Sequence, residues 1–170
     1  MHKCDLTGDI DTFLKAAQAK DPNTYATTKA EWDAAKKSGA TAAYVAFYTD
    51  SAQHCTQVGS SSSDISTANF KLVVNFVVQF KDEASAAKGY TTETIFGFSS
   101  ATLKGGGAPV QEGKATGLGA NSIVLSVTVA TQSFYVTVWQ HKQFMVILVA
   151  LDLDATAAKK VALAEDGRIK

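Results

Sequence analysis

Phe70-Lys71-Leu72-Val73-Val74-Asn75-Phe76-Val77-Val78-Gln79-Phe80, running on into Lys81-Asp82-Glu83-Ala84-Ser85-Ala86-Ala87, is the stretch that decides the fold. Phe70, Leu72, Val74, Phe76, Val78 and Phe80 recur at every second position, alternating with Lys71, Val73, Asn75, Val77 and Gln79. Successive side chains of a strand point to opposite faces, so this spacing predicts a strand with one wholly apolar face. At Lys81 the period breaks. Asp82 can cap a helix, which places Ala84, Ala87 and Tyr90 on the packing side of a short Ala-rich segment.

Working outward, Tyr44, Ala46 and Tyr48 alternate with Ala43, Val45 and Phe47, apolar on both sides as a covered strand requires. Downstream, Ile123, Leu125, Val127 and Val129 mark another strand, Phe134, Val136 and Val138 the next, and Phe144 to Leu151 the last. The turn near His141-Lys142 lacks the Asn-Gly or Gly of a primed turn, which predicts a loop longer than two residues. Between these strands, His54 to Thr67, with Ser60-Ser61-Ser62-Ser63, reads as a mobile loop. Ser99 to Ala120, with Gly105-Gly106-Gly107 and Pro109, reads as a long surface connection holding a short strand near Ala108 to Gln111.

Helices frame the strands. Ile10, Phe13, Leu14 and Ala17 fall at i, i+3, i+4 and i+7 of a helix from about Asp9 to Lys20, ended by Asp21-Pro22-Asn23. Thr28 followed by Glu31 is a capping-box pattern that starts a second helix carrying Trp32 and Ala35 and stopping at Gly39. Asp154 caps a final helix with Ala157, Val161 and Ala164 on one face, and Gly167 ends it before Ile169 folds back. Consecutive strands without helical crossovers predict an antiparallel sheet. The chain therefore reads as a single α+β domain over residues 1–170. About five to six strands are packed by N-terminal, middle and C-terminal helices, with the helical segment 1–39 resting on the sheet of 40–170. The units Ala42 to Tyr90 and Ser122 to Ile169 share a strand-then-Asp-capped-helix order, consistent with a distant internal ββα duplication.

Composition narrows the chemistry. The 170 residues are 46% hydrophobic and 19% charged, with 16 basic and 16 acidic side chains and one arginine, Arg168. Phosphate binding draws on clustered Lys and Arg, so nucleic acid is not an expected partner. No apolar run approaches the ~20 residues of a membrane span. Gly117-Leu118-Gly119 precedes a strand rather than a helix, and Gly105-Gly106-Gly107 has no Gly-Lys-Ser/Thr; both read as loops, not nucleotide cradles. His2, His54 and His141 sit in an arm, at a loop border and at a hairpin tip, so no catalytic residue is assigned. His54-Cys55 plus Cys4 is too sparse a set for zinc, and neither metal nor cofactor is expected. Asp152 and Asp154 are explained by helix capping rather than acid–base work.

Cys4 and Cys55 leave three readings: a disulfide pinning the N-terminal arm, two reduced thiols, or a lipidated Cys4 that begins a mature lipoprotein and forbids the bridge. The chain opens Met1-His2-Lys3 with no apolar signal core, so an export signal would have been removed. One surface stands out as a candidate binding face, formed by Tyr135, Thr137 and Trp139 on the second side of the Phe134 strand. If uncovered, it offers stacking area for a sugar, peptide or apolar ligand; if helices cover it, these are core residues.

Val77-Val78-Gln79-Phe80-Lys81-Asp82-Glu83-Ala84, Gly117-Leu118-Gly119, the Phe134 to Val149 hairpin and the closing Arg168-Ile169 together resemble a recurrent kind of bacterial secreted or lipoprotein-type α+β domain, over about Lys29 to Lys170. Gln140-His141-Lys142-Gln143 departs from the Gly-Asn turn usual in such domains, and the resemblance carries no activity to any residue. The expected function is a non-enzymatic, secreted or cell-surface domain that binds an unknown protein or small ligand. The alternative is a structural module assembling with copies of itself through strand edges, and an enzyme with an unrecognised site comes third.

Overall fold

A computed structural model describes residues 1–58 and 69–169. The protein is α+β, and among the described residues it has six α-helices and eight strands, two more than the upper expectation. The additions are β1 (His2–Lys3) and β2 (Gly8–Asp9), two-residue pieces too short to show an alternation, both paired with β3 (Ala40–Thr49). The others are β4 (Leu72–Phe80), β5 (Val110–Glu112), β6 (Ser122–Val129), β7 (Gln132–His141) and β8 (Phe144–Leu151). They form one open antiparallel sheet in the order β1-β3-β4-β8-β7-β6-β5, with β2 beside β3. The Phe70–Phe80 stretch thus supplies an inner strand, flanked on both sides.

The β7–β8 loop is only Lys142-Gln143, because His141 pairs with Phe144, and not the longer loop the sequence suggests. Lys142 itself takes the left-handed conformation (φ 50°) that a glycine would normally supply.

Helix α1 (Ile10–Lys20) buries Ile10, Phe13, Leu14 and Ala17, and Asp9 caps it by accepting the Thr12 N–H at 2.9 Å. Asp21 closes α1 and also opens α2 (Pro22–Lys37), which begins six residues before the expected Thr28. Proline at the first helical turn behind an Asp cap is a stronger start than the interior Thr-x-x-Glu. Thr28 is consequently buried in mid-helix beside Trp32 and Ala35, and Glu31 is left for another task. Helix α3 (Ala52–Val58) occupies the start of the stretch expected to be a loop; the rest of that stretch, including Ser60 to Ser63, lies outside the described residues. Helix α4 (Glu83–Thr92) is capped by Asp82 as expected, but it buries Ala86, Gly89 and Tyr90 rather than Ala84 and Ala87 with Tyr90. Gly89 fixes this rotation: a Cβ there would lie 2.4 Å from the Phe80 ring. The expected connection at 99–120 contains α5 (Ser100–Gly105), β5 and a 3₁₀ turn at Gly113–Thr116. Helix α6 (Ala155–Asp166) buries Ala158 and Ala162, one residue off the expected face, and leaves Val161 38% exposed.

The sheet divides two layers of core. Leu72, Val74, Phe76, Val78 and Phe80 of β4 face the same side as Ile147, Val149, Val136 and Val138, and α1, α2, α4 and Leu103 of α5 pack there. The opposite side, with Val73, Val146, Leu148, Ala150, Tyr135 and Trp139, is covered by α6 through Ala158 and Ala162. Helices α4 and α6 are therefore on opposite faces. A twofold axis exchanging antiparallel β4 and β8 would keep them on one face, so the ββα duplication does not extend to the packing. At the outer end of this second face Tyr44 is 43% exposed, which leaves β3 less covered than its two-sided apolar pattern suggests.

Candidate binding cavity

The Tyr135, Thr137 and Trp139 face is not available as a surface. These residues are 3%, 0% and 0% exposed, sealed by α6. Trp139 Nε1–H donates to Asp166 Oδ1 at 2.9 Å, and His141 Nδ1 pairs with the same oxygen at 2.6 Å. The C-terminal helix is thereby latched to β7. The expected site is core because the Ala-lined α6 approaches the sheet closely enough to cover large side chains.

Two of the three histidines are less exposed than their chain positions suggest, while His2 is exposed in the arm as expected. His141 is half-buried against Asp166, and His54 pairs with Asp50 while stacking on Phe70 with ring centroids 4.3 Å apart. Of the three cysteine readings, the structure has the bridge: Cys4 and Cys55 are joined, with Cα atoms 5.2 Å apart. A Cys4 sulfur in a disulfide is not free to carry a lipid.

Among the described residues, a feature with room for a ligand is on the other side of the sheet. An apolar cavity of about 680 Å³ lies between α1 and the strands. Its floor consists of two neighbouring rows of side chains running across the sheet. One row is Phe47, Val74, Val149, Val136 and Leu125, and the other holds Leu72, Leu151, Phe134 and Val127. Its roof is the stripe Phe13, Ala16, Ala17 and Lys20 of α1. The two alanines leave the space: at the level where leucine would reach the valines of the floor, the roof stops at a methyl group. Leu6 and Val58, from the two segments tied by the disulfide, contribute to the wall.

One end is aromatic. Phe13 stacks on Phe47 at 5.9 Å, Phe96 meets Phe13 edge-on at 5.1 Å, and Phe96 stacks on Phe76 at 3.7 Å. Phe96 and Phe98 reach this position on a tight turn whose two sides bond reciprocally, Ile95 N–H to Phe98 C=O and Phe98 N–H to Ile95 C=O, both at 3.0 Å. Phe96 and Gly97 at its apex have φ of 53° and 77°. A left-handed phenylalanine is unfavourable alone. The Glu31 carboxylate holds it, accepting the Phe96 N–H at 2.6 Å and the Gly97 N–H at 3.0 Å. Glu31→Ala should therefore cost about 1–3 kcal/mol, since it strands two donors and releases the turn. Chemical denaturation would measure this, with Glu31→Gln retaining part of the loss because one amide oxygen still accepts.

The opposite end is polar. Of 21 lining residues among those described, 18 are apolar, and the other three, Lys20, Asp21 and Thr24, cluster where α1 meets α2. The Asp21 carboxylate is engaged locally, with Oδ1 accepting the Thr24 N–H at 3.2 Å and Oδ2 the Thr24 hydroxyl at 2.6 Å. Those two bonds, the hydroxyl first, hold its carboxyl below the usual carboxylate range. Lys20, Thr24 and Val129 are the exposed members of the lining, and the cavity reaches solvent beside them.

No protein family matches this chain, and neither does any curated protein or solved structure with which it was compared. The cavity was not foreseen in the sequence. Its one signal is the α1 stripe itself, where a core-facing helix places two alanines and a terminal lysine opposite valine-rich strands.

Proposed function

We propose that the protein is an extracellular or cell-surface binding protein that holds a small apolar molecule in the cavity under α1 and carries out no reaction on it. The single observation behind this reading is the cavity: its volume of about 680 Å³ falls within the ~300–1,000 Å³ range of ligand sites. An apolar space of that size leaves its lining without dispersion partners, and water would find few polar atoms to bond. An apolar ligand supplies the missing contacts. The compartment is supported by the Cys4–Cys55 bridge, since disulfides persist in oxidising surroundings. The Arg-poor, neutral composition points the same way. Among the described residues no helix is long and apolar enough to cross a membrane. Self-assembly through strand edges has less support, because the outermost strands β1 and β5 span only two and three residues.

The test is titration of protein stripped of co-purifying lipid, in its oxidised form, with the neutral, environment-sensitive dye Nile red. Saturable one-site binding is expected. Ala16→Phe, which puts a ring into the cavity from a half-buried helical position, should weaken it at least about tenfold, ~1.4 kcal/mol, without lowering the melting temperature. Equal affinity in the two proteins would refute the cavity as the site.

A further inference from the structure

We infer that the occupant is a long-chain amphiphile with an anionic head, its tail laid across the strands and its head at Lys20. This inference rests on the cavity reading above and specifies its ligand. The floor extends from Phe47 on β3 to Leu125 on β6, following one register row through β4, β8 and β7. Those are four inter-strand steps of ~4.8 Å, so the trough is about 19 Å long. A trough of that length walled by valine and leucine suits an extended hydrocarbon chain better than a compact ring system. The roof has a direction too. From Phe13 to Lys20 it covers seven residues, about 10 Å of helix, passing from the phenylalanine cluster to the polar corner.

The charge of the head follows from what is already committed at that corner. Both Asp21 oxygens are taken by Thr24, so this carboxylate faces the first turn of α2. Lys20 is the one cation in the described lining, and among the described residues it has no ion pair. Its ammonium is exposed at the end of the apolar wall, where a carboxylate head can pair with it as a solvent-screened ion pair. Asp21 keeps its negative charge at the same corner, but with both oxygens turned to Thr24 it leaves the Lys20 ammonium as the group free to bond a head, which favours an anion over an alcohol or an amine.

The experiment displaces Nile red from the oxidised protein with palmitate, hexadecanol and hexadecylamine, each below its aggregation concentration. It uses the wild type, Lys20→Ala and Lys20→Glu. Position 20 is exposed, and circular dichroism would verify that both variants are folded. Palmitate should bind roughly threefold more tightly than the alcohol, a preference that shrinks as salt rises. Lys20→Ala should abolish the preference while leaving the alcohol unchanged, and Lys20→Glu should shift it to the amine. Equal binding of the three heads by the wild type, or an unaltered palmitate preference in Lys20→Glu, overturns the head assignment. Dye binding that Ala16→Phe blocks but that none of the three ligands displaces overturns the chain-like ligand and leaves the cavity reading standing. Dye binding indifferent to Ala16→Phe removes both.

Discussion

The Cys4→Ala/Cys55→Ala double variant should melt roughly 10 °C below the oxidised wild type, and the wild type in reductant should fall to the same temperature. The bridge joins residues 51 apart in sequence. Closing a loop of that length removes chain entropy from the unfolded state worth about 4 kcal/mol, and a domain of this size loses ~2–4 °C for each kcal/mol. The folded state has a local stake as well. Cys4 is 3% exposed, its N–H donates to the Phe47 carbonyl at 2.8 Å, and the arm before α1 otherwise holds β3 through the two-residue strands β1 and β2 and through Thr7 Oγ1, which accepts the Phe47 N–H at 3.0 Å. Without the bridge, that arm behaves as a terminus and frays. Leu6 and Val58 line the cavity from the two tied segments, so Nile red affinity should drop together with stability. Alanine at both positions is the appropriate comparison, because a single replacement leaves a reactive thiol. A melting difference of only a degree or two would mean that the arm and α3 are held without the covalent link.

The fold was readable wherever a pattern repeated long enough to be unambiguous. Leu72 to Phe80 and Ile123 to Val129 carry a period of two over most of their length, Phe144 to Leu151 is an unbroken apolar run of strand length, and each is a strand. The Asp caps of α4 and α6 were equally legible, since a carboxylate before an Ala-rich run has few other uses. Failures came where several residues were chemically alike. In α6, Ala157, Ala158, Ala162 and Ala164 do not differ in hydrophobicity, so the helix face could not be chosen by composition; in α4, the choice was made by Gly89, whose missing side chain admits the Phe80 ring. Glu31 shows a different limit. Its spacing from Thr28 fits a cap, but its partners are the N–H groups of residues 96 and 97, far along the chain. The cavity was hidden for a similar reason: a void is a property of two facing surfaces, and Ala16 and Ala17 announce one only once Val74, Val136 and Val149 are known to lie opposite.

Trp139→Ala should cost about 3–5 kcal/mol, the range for emptying a large, fully buried aromatic site, and lower the melting temperature by roughly 10–15 °C. The indole is 0% exposed and sits in the second-face core with Val146 and Leu148, under Ala158 and Ala162 of α6. The helix cannot collapse into the space easily, because Asp154 fixes its first turn by accepting the Ala157 N–H, and Asp166 fixes its end through Trp139 and His141. Trp139→Phe separates packing from the hydrogen bond. It keeps most of the volume and loses the Nε1–H donor, while Asp166 retains His141 as a partner, so its cost should be nearer 1–2 kcal/mol. Since the cavity is on the far side of the sheet and Trp139 is absent from its lining, Trp139→Phe should bind Nile red as the wild type does. This pair of variants decides between the two faces. If Trp139→Phe leaves stability intact but removes ligand binding, then the aromatic face of β7 is the site, and α6 is a cover that opens rather than a permanent part of the core.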